Sequence, residues 1–124
     1  MLLGVCLGTN DLARAAAFYD RLLNTLGMVR TMEADDEIGY GLPGGSSCFW
    51  IIQPFDQQPA TRGNGTQVTF KAASNAAVET FHQAALAFAG TDEGAPGYRY
   101  RPGYFGAYCR DLDGNKLHVM HASE

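Results

Sequence analysis

The feature that most constrains this chain of 124 residues is an internal repeat. A shift of 63 positions superimposes much of the first half on the second, and toward the ends of the halves the shift becomes 68. The aligned pairs are Gly4 with Gln67, Phe18 with Phe81, Leu23 with Leu86, Gly27 with Gly90 and, at the longer shift, Trp50 with His118. A unit of this size cannot bury its own sheet face, so two units must pack together to form a core.

Each half has the pattern of one strand, one helix and three further strands. In the first half, an Asn10 or Asp11 side chain can cap a helix whose apolar residues recur at helical spacing up to Gly27. The second half repeats this arrangement, with Ser74 as the cap and Gly90 as the stop. The predicted strands are 2–9, 28–31, 38–42, 47–53, 66–72, 104–109 and 116–121, with a polar loop at 91–103.

These elements predict a single α+β domain over residues 1–124, with a linker at about 54–64 that separates module one (about 1–53) from module two (about 65–124). Two paired β-α-β-β-β modules would form a curved, mostly antiparallel sheet around a cleft, with the helices outside. Strand alternation then assigns the residues that face the cleft. They are Gly4, Cys6, Trp50, Gln67, Thr69, His118 and Met120.

The last strand pair carries a titratable side chain. Asp113-Gly114 predicts a two-residue hairpin turn, because both central positions of such a turn favour residues that tolerate a positive φ. Alternation in the following strand places Leu117 and Val119 on one face and His118 on the other. The ordinary pKa of histidine suits proton transfer near neutral pH.

Composition excludes several classes of protein. The net charge is −4 and the nine basic residues form no run, which argues against a nucleic-acid partner. The apolar N-terminal stretch is too short for a signal peptide or a membrane span. Cys6, Cys48 and Cys109 are widely spaced and odd in number, so we expect reduced, buried thiols in a cytoplasmic protein.

Three segments carry a resemblance to a known family: residues 7–12 followed by Phe18-Tyr19, residues 63–68, and residues 110–116. In this order they resemble the vicinal oxygen chelate superfamily, which includes glyoxalase I, bleomycin- and fosfomycin-resistance proteins and extradiol dioxygenases. The resemblance implies paired β-α-β-β-β modules and a homodimer, with the modules pairing within one chain or across two. It also implies a divalent metal (Zn, Fe, Mn or Ni) in the metal-dependent members.

The positions that match the metal ligands of the family are Gly4, Trp50, Gln67 and His118. Gly4 has no side chain to donate, Trp50 cannot act as a ligand, and Gln67 offers a weak neutral oxygen. A catalytic metal needs about three protein ligands. We therefore expect no bound metal cofactor at these positions.

The remaining candidates follow from the cleft and from one unusual loop. His118 and Gln67 are the candidate catalytic residues, and Trp50 could stack on a flat ligand. The loop 96–104 interleaves arginine and tyrosine and could either close over a ligand or cover the sheet edge. The candidate substrate-binding residues are Trp50, Cys6, Thr69, Tyr98, Arg101, Tyr104 and Met120.

Two functions remain open at this point. One is an enzyme of lyase or dioxygenase type that uses His118 on a small oxygen-rich substrate. The other is a protein of the bleomycin-resistance type that sequesters an apolar or aromatic small molecule without catalysis. Both have a small-molecule partner.

Overall fold

The structure, a computed structural model, describes residues 1–123 and contains two four-stranded sheets and two helices. The strands are β1 (Val5–Gly8), β2 (Val29–Glu33), β3 (Glu37–Gly41), β4 (Phe49–Ile52), β5 (Val68–Lys71), β6 (Thr91–Tyr98), β7 (Tyr104–Arg110) and β8 (Lys116–Ala122), and the helices are α1 (Leu12–Asn24) and α2 (Asn75–Ala87). The strand orders are β1-β4-β3-β2 and β5-β8-β7-β6. The predicted α+β fold of two β-α-β-β-β modules is confirmed.

The repeat is visible in the register of the strands. β1 pairs with β4 in parallel and places Cys6 opposite Trp50, and β5 pairs with β8 in parallel and places Thr69 opposite His118. These are equivalent positions under the two sequence shifts. All four side chains lie on the sheet faces that point away from the helices. We call these two faces, marked by Cys6, Trp50, Thr69 and His118, the open face.

A shared core joins the two modules on the other side of the sheets. The ring of Phe49 lies 5.2 Å from the ring of Tyr19 and 5.2 Å from the ring of Phe70, measured between centroids. Phe70 in turn lies 5.8 Å from Phe81 of α2. Aromatic rings therefore run continuously from α1, through both sheets, to α2.

The predicted helix caps are confirmed. Asp11 accepts a hydrogen bond from the backbone N–H of Arg14 at 3.0 Å, and Ser74 accepts one from the backbone N–H of Ala77 at 3.0 Å. Each helix has 13 residues. Across residues 1–123, neither helix has the length and apolar content needed to cross a membrane.

The predicted loop at 91–103 is wrong over its first eight residues, which form the edge strand β6. β6 pairs with β7 in antiparallel fashion, and the register shifts on both sides of Gly94. Irregular pairing at a sheet edge tolerates Gly94, Pro96 and Gly97, because an edge strand does not need every ladder hydrogen bond. The glycine and proline residues of β6 therefore led to the wrong prediction of a loop.

The predicted two-residue turn is also wrong. The last paired residues of β7 and β8 are Arg110 and Lys116, so the connection consists of the five residues 111–115. Within it, Gly114 has a positive φ of 87°, whereas Asp113 does not. The carboxylate of Asp111 organises the turn by accepting backbone N–H groups of Asp113 at 2.9 Å and Asn115 at 2.8 Å. A side-chain-supported turn of this kind replaces the tighter turn.

The cysteines differ from expectation in their burial. All three are free thiols, but Cys6 and Cys48 are exposed and Cys109 is buried. Cys6 lies on a face of the first sheet that carries no second layer of structure in residues 1–123, and Cys48 lies in the connection between β3 and β4. Cys109 faces the shared core.

Candidate functional site

His118 lies at the centre of the open face of the second sheet. The ring of Tyr108 stacks on it with a centroid distance of 4.2 Å and an interplanar angle of 8°. His118 is consequently 2% exposed. Its Nδ1 lies 3.1 Å from Oγ1 of Thr69, whereas its buried Nε2 has no hydrogen-bond partner in residues 1–123.

The environment of His118 favours the neutral imidazole. Burial lowers its pKa from the ordinary value, and the positive charges of Arg99 and Lys116 lower it further. A neutral ring has one N–H and one lone pair. A hydrogen bond donated by Nδ1 to Thr69 would leave the lone pair on Nε2.

The lowered pKa predicts that acid destabilises the fold. The unfolded chain protonates His118 near pH 6.5, whereas the folded chain resists protonation. The free energy of unfolding should therefore decrease as the pH falls below about 6.5, whereas above this pH the titration of His118 should not change it. Urea unfolding measured between pH 8 and pH 5 checks this.

The matched variant for this prediction is His118→Asn, which removes the titrating group and keeps a polar side chain. Its stability should decrease less steeply than that of the wild type over the same pH range. Equal slopes for the two proteins would contradict the assignment of a lowered pKa to His118.

Trp50 covers the open face of the first sheet. Its ring extends over the neighbouring strands, where a Cβ at Gly4 would overlap Cζ3 of Trp50 and a Cβ at Gly39 would lie 2.8 Å from Nε1. A side chain at either position would displace the indole ring. The glycines therefore allow a flat aromatic surface, half-buried, beside Cys6.

Arg99 and Tyr108 belong to the site and were missed as candidates. The guanidinium of Arg99 donates to the carbonyl oxygens of Gly106 and, at 2.6 Å, Ala95, and it lies 5.4 Å from the centroid of the Tyr108 ring. Alternation along β7 could have revealed Tyr108, because it shares the parity of Tyr104. The hydrogen bonds of Arg99 had no signal in the sequence.

The candidate residues from loop 96–104 lie on different faces of the second sheet. Tyr104 lies on the open face, 6.0 Å from the ring of His118, and Arg101 lies 5.8 Å from the Tyr104 ring. Tyr98 instead packs against Phe105 on the helix side and accepts a hydrogen bond from the Asn75 side chain at 3.1 Å. Tyr98 therefore does not join the other candidates.

The remaining candidates surround this centre. Gln67 is exposed, and its Nε2 lies 3.4 Å from Oγ1 of Thr69. Met120 is half-buried on the same face as His118. Burial and then the negative charge of Glu37 raise the pKa of Cys6, which favours the unreactive thiol over the thiolate.

A groove of about 420 Å³ separates the edges of the two sheets. Its polar part is formed by Gln67, Thr69 and Lys71 on the β5 side and its apolar part by the N-terminal residues Leu2 and Leu3 and by residues near β4. The groove therefore lies between the N-terminal residues that lead into β1 and the strand β5.

The donor set does not fit the metal that the resemblance implies. In residues 1–123 no group of three or more His, Cys, Asp or Glu side chains is placed to hold an ion. Trp50 occupies the space in which a side chain at position 4, just before β1, would lie. His118 buries both ring nitrogens against Thr69 and the β7 backbone.

The chain matches no family model and no curated protein. It is similar to the crystal structure of a glyoxalase/bleomycin resistance protein from Albidiferax ferrireducens, at 40% identity, 99% coverage of both chains and a TM-score of 0.89.

Two more distant crystal structures share the fold. A glyoxalase/bleomycin resistance protein/dioxygenase family enzyme from Burkholderia phytofirmans matches at 19% identity, with 98% of each chain covered and a TM-score of 0.76. The fosfomycin resistance protein FosX from Listeria monocytogenes matches at 16% identity over 99% of this chain and 93% of that one, with a TM-score of 0.71. On the strength of the 40% identical relative, this chain belongs to the glyoxalase/bleomycin resistance family of the vicinal oxygen chelate superfamily.

Proposed function

We propose that this protein binds a planar aromatic small molecule on its open face, without the metal of the metal-dependent family members. The observation that carries the proposal is the placement of Trp50, whose indole ring extends over Gly4 and Gly39. Gly4 is one of the positions that the resemblance matches to metal ligands, and the indole fills the space beside it. The second module supports it with the stacked rings of Tyr108 and His118 at the equivalent position. An aromatic surface in each module favours a flat ligand, because aromatic rings stack on one another.

A second candidate function is proton transfer by His118 in an enzyme that acts on a small oxygen-rich substrate. The observation that favours it is the unpartnered Nε2, because a neutral imidazole with a free lone pair can accept a proton from a ligand hydroxyl. Gln67 and Thr69 would then orient the substrate and the ring, respectively. Tyr108 and Arg99 would have to move to admit a substrate to this nitrogen.

We also propose that the protein is a cytoplasmic homodimer. Free thiols at Cys6, Cys48 and Cys109 suit a reducing compartment. Exposed Met1, Leu2 and Leu3 beside the groove offer apolar surface to a second copy. Light scattering of the purified protein measures the mass in solution, and a monomer would contradict the dimer.

Fluorescence of Trp50 tests the main proposal, since it is the single tryptophan of the chain. Titration with naphthamide, a neutral two-ring probe, should quench this fluorescence in a saturable way. Trp50→Ala should weaken naphthamide binding, measured by calorimetry, by about tenfold, because it removes the stacking surface and the apolar contact. Trp50→Phe should retain most of the affinity.

The control is Phe55→Ala, which removes a fully exposed ring from the segment between the modules. Its affinity for naphthamide should equal that of the wild type. Elemental analysis of the purified protein accompanies the titration. Stoichiometric zinc, iron, manganese or nickel would contradict metal-independent binding, and turnover lost in His118→Asn would establish the second candidate instead.

A further inference from the structure

A small basic pocket lies at one end of the open face, between the β7–β8 hairpin and the segment that precedes β5. Its volume is about 230 Å³. We call it the basic pocket; it is lined by Arg62, Gly63, Asn64, Gly65, Thr66, Gln67, Arg110 and Lys116.

The charges in the basic pocket are unbalanced. Arg62, Arg110 and Lys116 supply three positive charges, whereas Glu93, paired with Nε of Arg110, supplies one negative charge beside them. Neither Arg62 nor Lys116 has an ion-pair partner in residues 1–123. This excess of about two positive charges belongs to a chain whose net charge is −4. A local excess of one sign in an acidic protein favours an anionic ligand.

The backbone holds these side chains in place. Gly114 has a φ of 87°, and a Cβ at this residue would lie 3.4 Å from Cδ of Arg62, so the arginine stem packs on the hairpin tip. Nη1 of Arg110 donates to the carbonyl oxygen of Gly114 at 2.8 Å. Gly63 and Gly65 on the opposite wall also have positive φ values, of 64° and 97°. The hairpin tip therefore holds Arg62 and Arg110 beside the glycine-containing turn of residues 63–65.

The basic pocket is continuous with the aromatic part of the open face. Nζ of Lys116 lies 5.0 Å from the centroid of the Tyr108 ring, which stacks on His118. Gln67 lines both the basic pocket and the groove between the sheets. Lys116 therefore lies against the aromatic part of the open face, where its charge can reach an anionic group carried by a flat ligand.

We infer that the basic pocket binds a carboxylate carried by the aromatic ligand, with Arg62, Lys116 and Arg110 as its partners. This inference rests on the proposed function, because it assigns the charged end of the same ligand. Arginine can hold a carboxylate through two parallel N–H groups, and lysine adds a compact charge. The ligand class is thus an aromatic carboxylate.

Naphthoate and naphthamide separate the charge from the ring, since the two probes differ in the carboxylate alone. At low ionic strength, naphthoate should bind about tenfold more tightly than naphthamide, as expected for hydrogen bonds to a charged group. Arg62→Ala and Lys116→Ala should each lower this ratio at least about threefold, and the double variant should bring it close to one. Added salt should lower the ratio for the wild type by screening the charges.

Arg21→Ala is the matched control, because it removes one positive charge from α1, where Arg21 lies over the Phe88 ring on the helix side. Its ratio should remain that of the wild type. Equal affinities for the two probes in the wild type would overturn the inference and leave the proposed function intact. A further possible result is that inorganic phosphate stabilises the wild type but not Arg62→Ala, while neither probe quenches Trp50. This result would support anion binding in the basic pocket and contradict the binding of an aromatic ligand.

Discussion

Phe49→Ala is expected to lower the free energy of unfolding by about 3–5 kcal/mol, as for other buried aromatic residues that are truncated to alanine. Phe49 is 1% exposed, and its ring contacts Tyr19 in α1 and Phe70 in the second module. The cavity would open where the modules meet, so neither module can close it alone. Urea unfolding followed by circular dichroism measures the change.

Phe55→Ala provides the control for this truncation, since Phe55 is fully exposed and should contribute little to stability. A loss of less than about 1 kcal/mol in Phe49→Ala would contradict a shared core. Two separate transitions in the wild type would contradict it as well, because a common core predicts cooperative unfolding.

The repeat and strand alternation accounted for most of the architecture. Both the repeat and the alternation can be recognised from the order of residue types along the sequence, so neither requires knowledge of the tertiary contacts. Leu117 and Val119 are 0% and 1% exposed, as their parity in the last strand predicted. The alignment of Trp50 with His118 placed two residues at equivalent positions of two sheets.

The burial of His118 could not be predicted in the same way. It depends on the ring of Tyr108 in the neighbouring strand, and therefore on the register of β7 with β8. The connection of residues 111–115 sets this register. A two-residue turn would shift the pairing, and a shift of one residue would turn the side chains to the other face.

The face of Tyr98 was unpredictable for a related reason. Alternation assigns a side chain to a sheet face only within a strand, and the composition of residues 91–98 predicted a loop. Once β6 pairs with β7, Tyr98 lies opposite Phe105 and must share its face. Arg99, the next residue, follows the end of the strand and reaches the open face.

Under the proposed function, Trp50 and His118 give each module one aromatic surface for the same ligand. Each residue lies on the strand that pairs in parallel with the first strand of its module. At one position the chain has an indole over two glycines, and at the other a histidine beneath a tyrosine. Under the proposed function, both positions, which the resemblance matches to metal ligands, instead present an aromatic surface to a flat ligand.

Asp111→Ala is expected to lower the free energy of unfolding by about 3 kcal/mol, because several buried donors lose their acceptor at once. The carboxylate of Asp111 accepts the hydroxyl of Tyr19 at 2.5 Å and Nδ2 of Asn115 at 2.9 Å, besides two backbone N–H groups of the hairpin. Nδ2 of Asn115 also donates to the carbonyl oxygen of Gly8. The hairpin tip thus ties module two to α1 and β1 of module one.

The loss should remain below the sum over the individual hydrogen bonds, because burial raises the pKa of Asp111 and makes the carboxylate itself costly to keep in the fold. Asp35→Ala, at an exposed carboxylate in the turn before β3, is the control and should leave stability within about 0.5 kcal/mol of the wild type. Asp111→Ala should also reduce the preference for naphthoate over naphthamide, since Arg110 in the basic pocket donates to the carbonyl oxygen of Gly114 at the hairpin tip. A variant as stable as the wild type, with the preference unchanged, would show that the tip is held by other contacts and that Asp111 links neither the modules nor the site.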